Sequence, residues 1–150
     1  MMKSKLLLGL LACALVAACE RVDPDSPLGK RQALFKDMLR TSEDLGGMLR
    51  GRLAFDERRF AEGAARLDEL SRQPWQHFPQ AREAGADSQA RDEVWQRQER
   101  FQQLARELEA ATAELRTAAQ VSPLQARALT APVARVEAAC EGCHEEFRIY

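Results

Sequence analysis

Strand-forming residues are scarce in this 150-residue chain, which has a single Tyr and few β-branched side chains. That scarcity argues against a fold built on sheets. Charge of one sign is also missing: 22 basic residues face 23 acidic ones, for a formal net charge of −1. A nucleic-acid-binding footprint is therefore excluded. One apolar run stands out, residues 6–16, and its eleven residues are too few to span a bilayer as a mature helix. The chain has four Cys and only two His, His77 and His144. A four-ligand zinc site would be short of donors, because Cys13 and Cys19 belong to the N-terminal segment.

What is abundant is Ala, Leu, Arg, Glu and Gln, all strong helix formers. Apolar content of 45% and charged content of 30% suit a single soluble helical domain. The N-terminus stands apart from it. Lys3 and Lys5 precede the apolar run, and Val16-Ala17-Ala18-Cys19 closes it. This is the layout of a secretory signal, and its end resembles a bacterial lipobox. Residues 1–18 then read as a lipoprotein signal peptide, and Cys19 as the lipid-bearing residue and membrane anchor. Cys13 fits the same pattern with a shorter apolar core, and an ordinary signal peptide cut near Ala18 is the plainer alternative. Each of these readings exports the chain to the periplasm. Removing residues 1–18 takes away two Lys and no acid, leaving 20 basic against 23 acidic residues and a net charge of −3. Residues 19–28, with Pro24 and Pro27, read as a tether.

From residue 29 on, four helices are expected. The first spans 29–53, with a stripe of Leu34, Met38, Leu45 and Leu49 widened by Phe35 and Leu39. The second spans 56–71, capped by Asp56 and stopped before Pro74. Residues 73–88 read as a loop whose Trp75 and Phe78 fold back onto the bundle, with His77 a surface residue. The third helix is expected over 89–120, on a seam of 3–4 spacing that only Gln98 breaks. The fourth begins at Ser122 as N-cap with Pro123 at the first helical position. Pro132, inside it, is expected to kink it near Ala128. The fold class is all-α, an up-down-up-down antiparallel four-helix bundle over residues 29–150.

The last helix carries Cys140-Glu141-Gly142-Cys143-His144, which is C-x-x-C-H, the attachment signature of c-type haem. Residues i and i+3 share one helix face, so both thiols can reach the vinyl groups along one porphyrin edge. His144 follows as a neutral imidazole ligand for iron. A redox-active C-x-x-C pair would need a βαβ setting that the pattern lacks. Half of a zinc site, or a chance occurrence of the motif, would also account for the two cysteines.

With these residues in place the chain resembles the cytochrome c′ family over residues 30–148. Cys-x-x-Cys-His-x-x-Phe-Arg resembles the family's ending. Arg31-Gln32-Ala33-Leu34-Phe35 resembles its first-helix opening, and Arg50-Gly51 the basic-Gly pair that closes that helix. Pro74-Trp75-x-x-Phe78 and Trp95 resemble its loop and the start of its third helix. The resemblance implies one covalent haem c, held by Cys140 and Cys143 in a homodimeric bundle, with His144 as the proximal ligand of pentacoordinate iron. It implies Arg148 by the proximal face, Arg31 near the propionates, Phe35 on the distal face and Met38 further along that wall. It also implies binding of NO and CO with discrimination against O2, exchange of electrons with a redox partner that the sequence does not name, and no enzymatic role. The first expected helix lacks the distal acid/base His that a peroxidase needs. The rival reading within the same fold is a six-coordinate, low-spin electron carrier with Met38 on iron. Plain core packing would equally explain Phe35 and Met38, and a haem-free adaptor bundle would leave C-x-x-C-H unexplained. Departures from the family are the lipid anchor, Pro132, and Glu43 and Asp44 on the surface that usually forms the dimer.

Overall fold

The computed structural model describes residues 22–82 and 88–150. The signal peptide, with Cys13, and the first three tether residues, 19–21 with Cys19, lie outside the described residues, as does Gly85 of the loop.

Four long helices make the up-down-up-down antiparallel bundle: α1 (Pro27–Leu49), α2 (Glu57–Ser71), α4 (Gln98–Ala118) and α5 (Ala126–Phe147), with the one-turn α3 (Glu93–Gln96) ahead of α4. α1 packs on α2 and α5, and α4 packs on the same two. Among the described residues no helix is long and apolar enough to cross a membrane.

Local chemistry sets the helix ends. α1 starts two residues earlier than expected because Ser26 caps it, accepting from the Gly29 N–H at 3.0 Å with Pro27 in the first turn. It stops at Leu49, short of residue 53, where Gly51 turns to φ 71° and the Arg50 N–H closes onto the Gly46 carbonyl. Asp56 caps α2, as expected, accepting from the Arg59 N–H at 2.8 Å.

The third expected helix is corrected at its start. Gln89–Arg91 is not helical, because its backbone is taken by the C-terminal tail. Ala90 forms an antiparallel bridge with Arg148; the Arg91 N–H donates to the Phe147 carbonyl at 2.9 Å, and the Ile149 N–H to the Gln89 carbonyl at 2.7 Å. The helix also breaks at Arg97 (φ −123°, ψ 48°), one residue before the pattern defect at Gln98. Ser122 is not an N-cap. Leu124 is buried and its N–H donates to Glu57 Oε2 at 2.9 Å, so the chain stays extended through Gln125 and α5 begins at Ala126. α5 is continuous through Pro132; a proline in the second turn forfeits one bond, that to the Ala128 carbonyl.

The core is in two parts. The larger joins all four long helices through residues such as Met38, Phe60, Leu70, Leu115 and Leu129. The smaller comprises Val94, Phe101, Leu104 and Phe147, and Trp75 packs against both. The α1 stripe is narrower than expected, since Leu39 is 58% exposed. Between α2 and α4 a polar cluster is buried. Asp68 accepts from Arg72 Nη2 at 2.7 Å, Arg116 Nη1 at 3.2 Å and Thr112 Oγ1 at 3.3 Å, and the Thr112 and Ser71 hydroxyls share a bond of 2.9 Å. Burial raises the Asp68 pKa, but the bonds from Arg72 and Arg116 outweigh it and hold the carboxyl below its usual value.

Candidate cofactor site

The C-terminal half of α5 lies where the two core parts meet. Cys140 packs against the larger and Cys143 against the smaller, so the i, i+3 pair straddles the seam. Neither sulfur is in a disulfide. Burial, with a contribution from Glu137, pushes the Cys140 thiol up. Burial chiefly, then the neighbouring Cys140 and Glu146, pushes Cys143 up to about 11. A catalytic redox cysteine needs the opposite, a thiol made acidic by its surroundings, so the environment disfavours thiol–disulfide chemistry. Burial and then the charge of Arg148 lower the His144 pKa, which keeps its imidazole neutral and its lone pair available.

These three side chains border a cavity of about 890 Å³. That lies toward the upper end of the range for small-molecule and cofactor sites, ~300–1,000 Å³. α1 supplies Arg31, Phe35 and Met38 to its lining, and the loop after α2 supplies Trp75 and Phe78. Edge-to-face aromatics close the deep side: Phe35–Trp75 at 5.9 Å, Trp75–Phe101 at 5.8 Å and Phe78–Phe101 at 4.9 Å between centroids. At the rim, Arg50 Nη1 and Glu137 Oε1 pair at 2.9 Å between the end of α1 and α5. The cavity thus has an apolar wall, two thiols with an imidazole beside them, and cationic residues on its border. A large flat macrocycle with acidic substituents matches each of those features.

The comparisons with known proteins agree with that geometry. A family model described as cytochrome c′ matches residues 26–148. The chain belongs to the cytochrome c′ family. It is 28% identical over 121 residues to a cytochrome c′ of Rhodopseudomonas palustris, covering 81% of this chain and 80% of that one. With a cytochrome c′ of Rubrivivax gelatinosus it shares 26% over 125 residues, 83% of this chain and 95% of that one. The crystal structure of the Rubrivivax gelatinosus protein superposes with a TM-score of 0.75 at 26% identity, covering 83% of this chain and 98% of that one. Cytochrome c prime from Shewanella frigidimarina gives 0.76 at 26%, covering 86% and 98%. A nitric oxide complex of a cytochrome c prime variant from Alcaligenes xylosoxidans shares the fold at a TM-score of 0.74 and 22% identity, over 86% and 98% of the two chains. Membership implies haem c binding, and cytochromes c′ are typically haem proteins rather than enzymes.

Of the residues singled out in the sequence, the structure brings Arg31, Phe35, Met38, Cys140, Cys143, His144 and Arg148 to the cytochrome c′ cavity. Arg31 is buried, 2% exposed, and donates from Nη1 to the His77 carbonyl at 2.9 Å and from Nη2 to Ser88 Oγ at 3.3 Å. Phe35 is half-buried and Met38 buried. His77 is not among the lining residues. Contacts that the sequence reading missed hold α5 in place. Arg148 donates from Nε and Nη2 to Gln89 Oε1 at 3.2 and 2.9 Å, and Arg91 Nε donates to the Arg148 carbonyl at 2.8 Å. Arg97 and Arg100 grip Glu146, two residues past His144, at 2.8 and 2.6 Å. The one trace of this in the sequence is the break of the seam at Gln98, which marks where α4 separates from the clamp.

Proposed function

We propose that this cytochrome c′ holds a single haem c through thioethers from Cys140 and Cys143, with His144 as the proximal iron ligand, and that it binds NO and CO in the periplasm. The observation that carries this is the convergence of Cys140, Cys143 and His144 from α5 and Phe35 from α1 on the lining of one cavity. The bound group supplies an iron centre able to take a diatomic gas. His144 offers a neutral imidazole, steadied by the Arg148 N–H on its own carbonyl at 3.0 Å. Phe35 offers a hydrocarbon ring that excludes water and donates no hydrogen bond. Such a distal side favours NO and CO, which bind iron without polar help, over O2. Arg31 and Arg148 border the cavity with positive charge suited to the propionates. Solved relatives of this fold with nitric oxide and with carbon monoxide bound provide precedent for the occupants. Export and lipid attachment at Cys19, exchange of electrons with a redox partner, and assembly into a homodimer belong to the same proposal. Mass spectrometry of the membrane fraction and light scattering of the purified protein test the anchor and the dimer.

A second reading has its own observation. Met38 is 6% exposed and lines the same cavity as Phe35. With its thioether as a sixth ligand the protein would be a low-spin electron carrier. Haem staining on a denaturing gel tests covalent attachment, since thioether-bound haem survives denaturation. Optical and EPR spectra of both oxidation states, with and without NO, then separate the readings. High-spin iron that takes up NO supports the Phe35-covered site; low-spin ferric iron with a Met-to-iron charge-transfer band overturns it.

A further inference from the structure

We propose that the Arg50–Glu137 ion pair, seated on Gly46, is a latch that fixes the distance of α1 from α5 and so sets how closely Phe35 covers the haem iron. Arg50 and Glu137 are then positioning residues for gas binding; this rests on the haem reading above. The groups that a gas would meet come from two helices: Phe35 and Met38 from α1, and Cys140, Cys143 and His144 from α5. Their spacing is therefore only as definite as the seating of one helix on the other. Two long-range bonds bracket Phe35 and Met38 along α1. Near its start, the buried Arg31 donates to the His77 carbonyl at 2.9 Å, in the turn after α2. At its end, Arg50 Nη1 donates to Glu137 Oε1 at 2.9 Å, across to α5. Glu137 stands one turn before Cys140, and both members of the pair line the cavity.

The backbone of α1 is shaped to hold this pair. The Arg50 side chain folds back along the helix and lays its guanidinium on the buried Gly46. A Cβ added at Gly46 would overlap Nη2 of Arg50 and lie 2.8 Å from its Cζ. Any side chain at position 46 would occupy that seat. Glycine within a helix is otherwise a cost relative to alanine, and here it gives room for the guanidinium. The same fold-back keeps the cation at the C-terminal end of α1, where the helix dipole favours positive charge. The Arg50 N–H also closes onto the Gly46 carbonyl at 3.0 Å, which holds the Arg50 backbone in register with its seat. Both side chains remain about half exposed, 49% and 41%. A pair so placed is screened by salt and weak enough to open, so it steadies α1 against α5 without locking it.

The test uses the holoprotein after a haem stain and an EPR spectrum. Absence of covalent haem, or low-spin iron bound by Met38, overturns the parent reading and this inference with it. With high-spin haem present, the CO association rate of the wild type is followed by flash photolysis from low to high salt. It should rise about two- to fivefold as the pair is screened. R50A and E137Q should each raise the low-salt rate by about the same factor and abolish its salt dependence. In the ferrous CO form of both variants, nuclear Overhauser effects between the Phe35 ring and the haem methyls should weaken. The R50A/E137Q double variant should go no further than either single one, because each already opens the latch. Gly46→Ala should displace the guanidinium and reproduce the fast, salt-insensitive rate. Its urea midpoint should equal or exceed that of the wild type, since alanine favours the helix, which separates the latch from a general loss of stability. A wild-type rate indifferent to salt overturns the latch. So do additive effects of R50A and E137Q, unchanged Phe35–haem contacts in those variants, or a Gly46→Ala rate that stays slow. The salt measurement needs no variant, so it stands even where a substitution fails to fold.

Discussion

Replacing Asp68 should cost more stability than its place on the bundle's polar seam suggests. The carboxylate is buried, with 6% of its side chain exposed, and ties α2 to α4. Its arginine partners are half exposed, Arg72 at 49% and Arg116 at 52%, so each ion pair is screened and contributes about 1 kcal/mol at most. Thr112 keeps the Glu109 carbonyl at 3.0 Å and Ser71 at 2.9 Å, so no hydroxyl is orphaned. Asp68→Ala should therefore cost about 2–3 kcal/mol, which lowers the melting temperature by roughly 5–15 °C in a domain of this size. Asp68→Asn should cost about half of that, because the amide oxygen still accepts one bond. The effect depends on pH with a definite sign. The folded carboxyl titrates below its usual value. Its stabilisation is thus fully present above the unfolded carboxylate pKa of about 3.9 and is lost as pH falls through the lower folded value. Urea unfolding of holoprotein, followed by circular dichroism at neutral pH and near pH 3, measures both claims. Equal midpoints for wild type and Asp68→Ala at neutral pH would refute the reasoning, as would a gap that fails to narrow in acid.

Phe35→Ala should open the distal side and raise the CO association rate measured by flash photolysis, at a stability cost of about 2–3 kcal/mol for a half-buried ring; a slower rate would contradict the placement of Phe35 over the binding site. Met38→Leu conserves volume and should cost under about 1.5 kcal/mol, with the EPR spin state unchanged; a conversion from low to high spin would instead establish Met38 as an iron ligand. Gly51→Ala meets no atom within 4 Å, yet forces a side chain onto φ 71°, so it should destabilise by about 1 kcal/mol through backbone strain alone. Chemical denaturation reads this directly, and no loss would mean that the end of α1 relaxes freely.

The residues of the site were legible in two ways. C-x-x-C-H states its chemistry within five positions, whereas Arg31, Phe35 and Met38 were singled out through the resemblance to cytochrome c′. The lapses share a cause. Gln89–Arg91 has the composition of a helix and becomes an extended clamp only because the tail after Phe147 pairs with it. Ser122-Pro123 has the composition of a helix start, but a carboxylate 67 residues away, on Glu57, takes the Leu124 N–H. Leu39 fits the apolar stripe and is left 58% exposed, on the lining of the cavity.

By itself, then, the sequence determined the helical class, the lengths of apolar face available for burial, and the C-x-x-C-H signature on the last helix, since all three follow from neighbours within a few turns. The tertiary structure alone decided where α3 and α5 begin and how the tail secures the segment bearing His144. It also left the Trp75 N–H without a partner among the described residues. Those outcomes depend on hydrogen bonds and contacts between residues dozens of positions apart, and no local period records which distant group wins a backbone N–H.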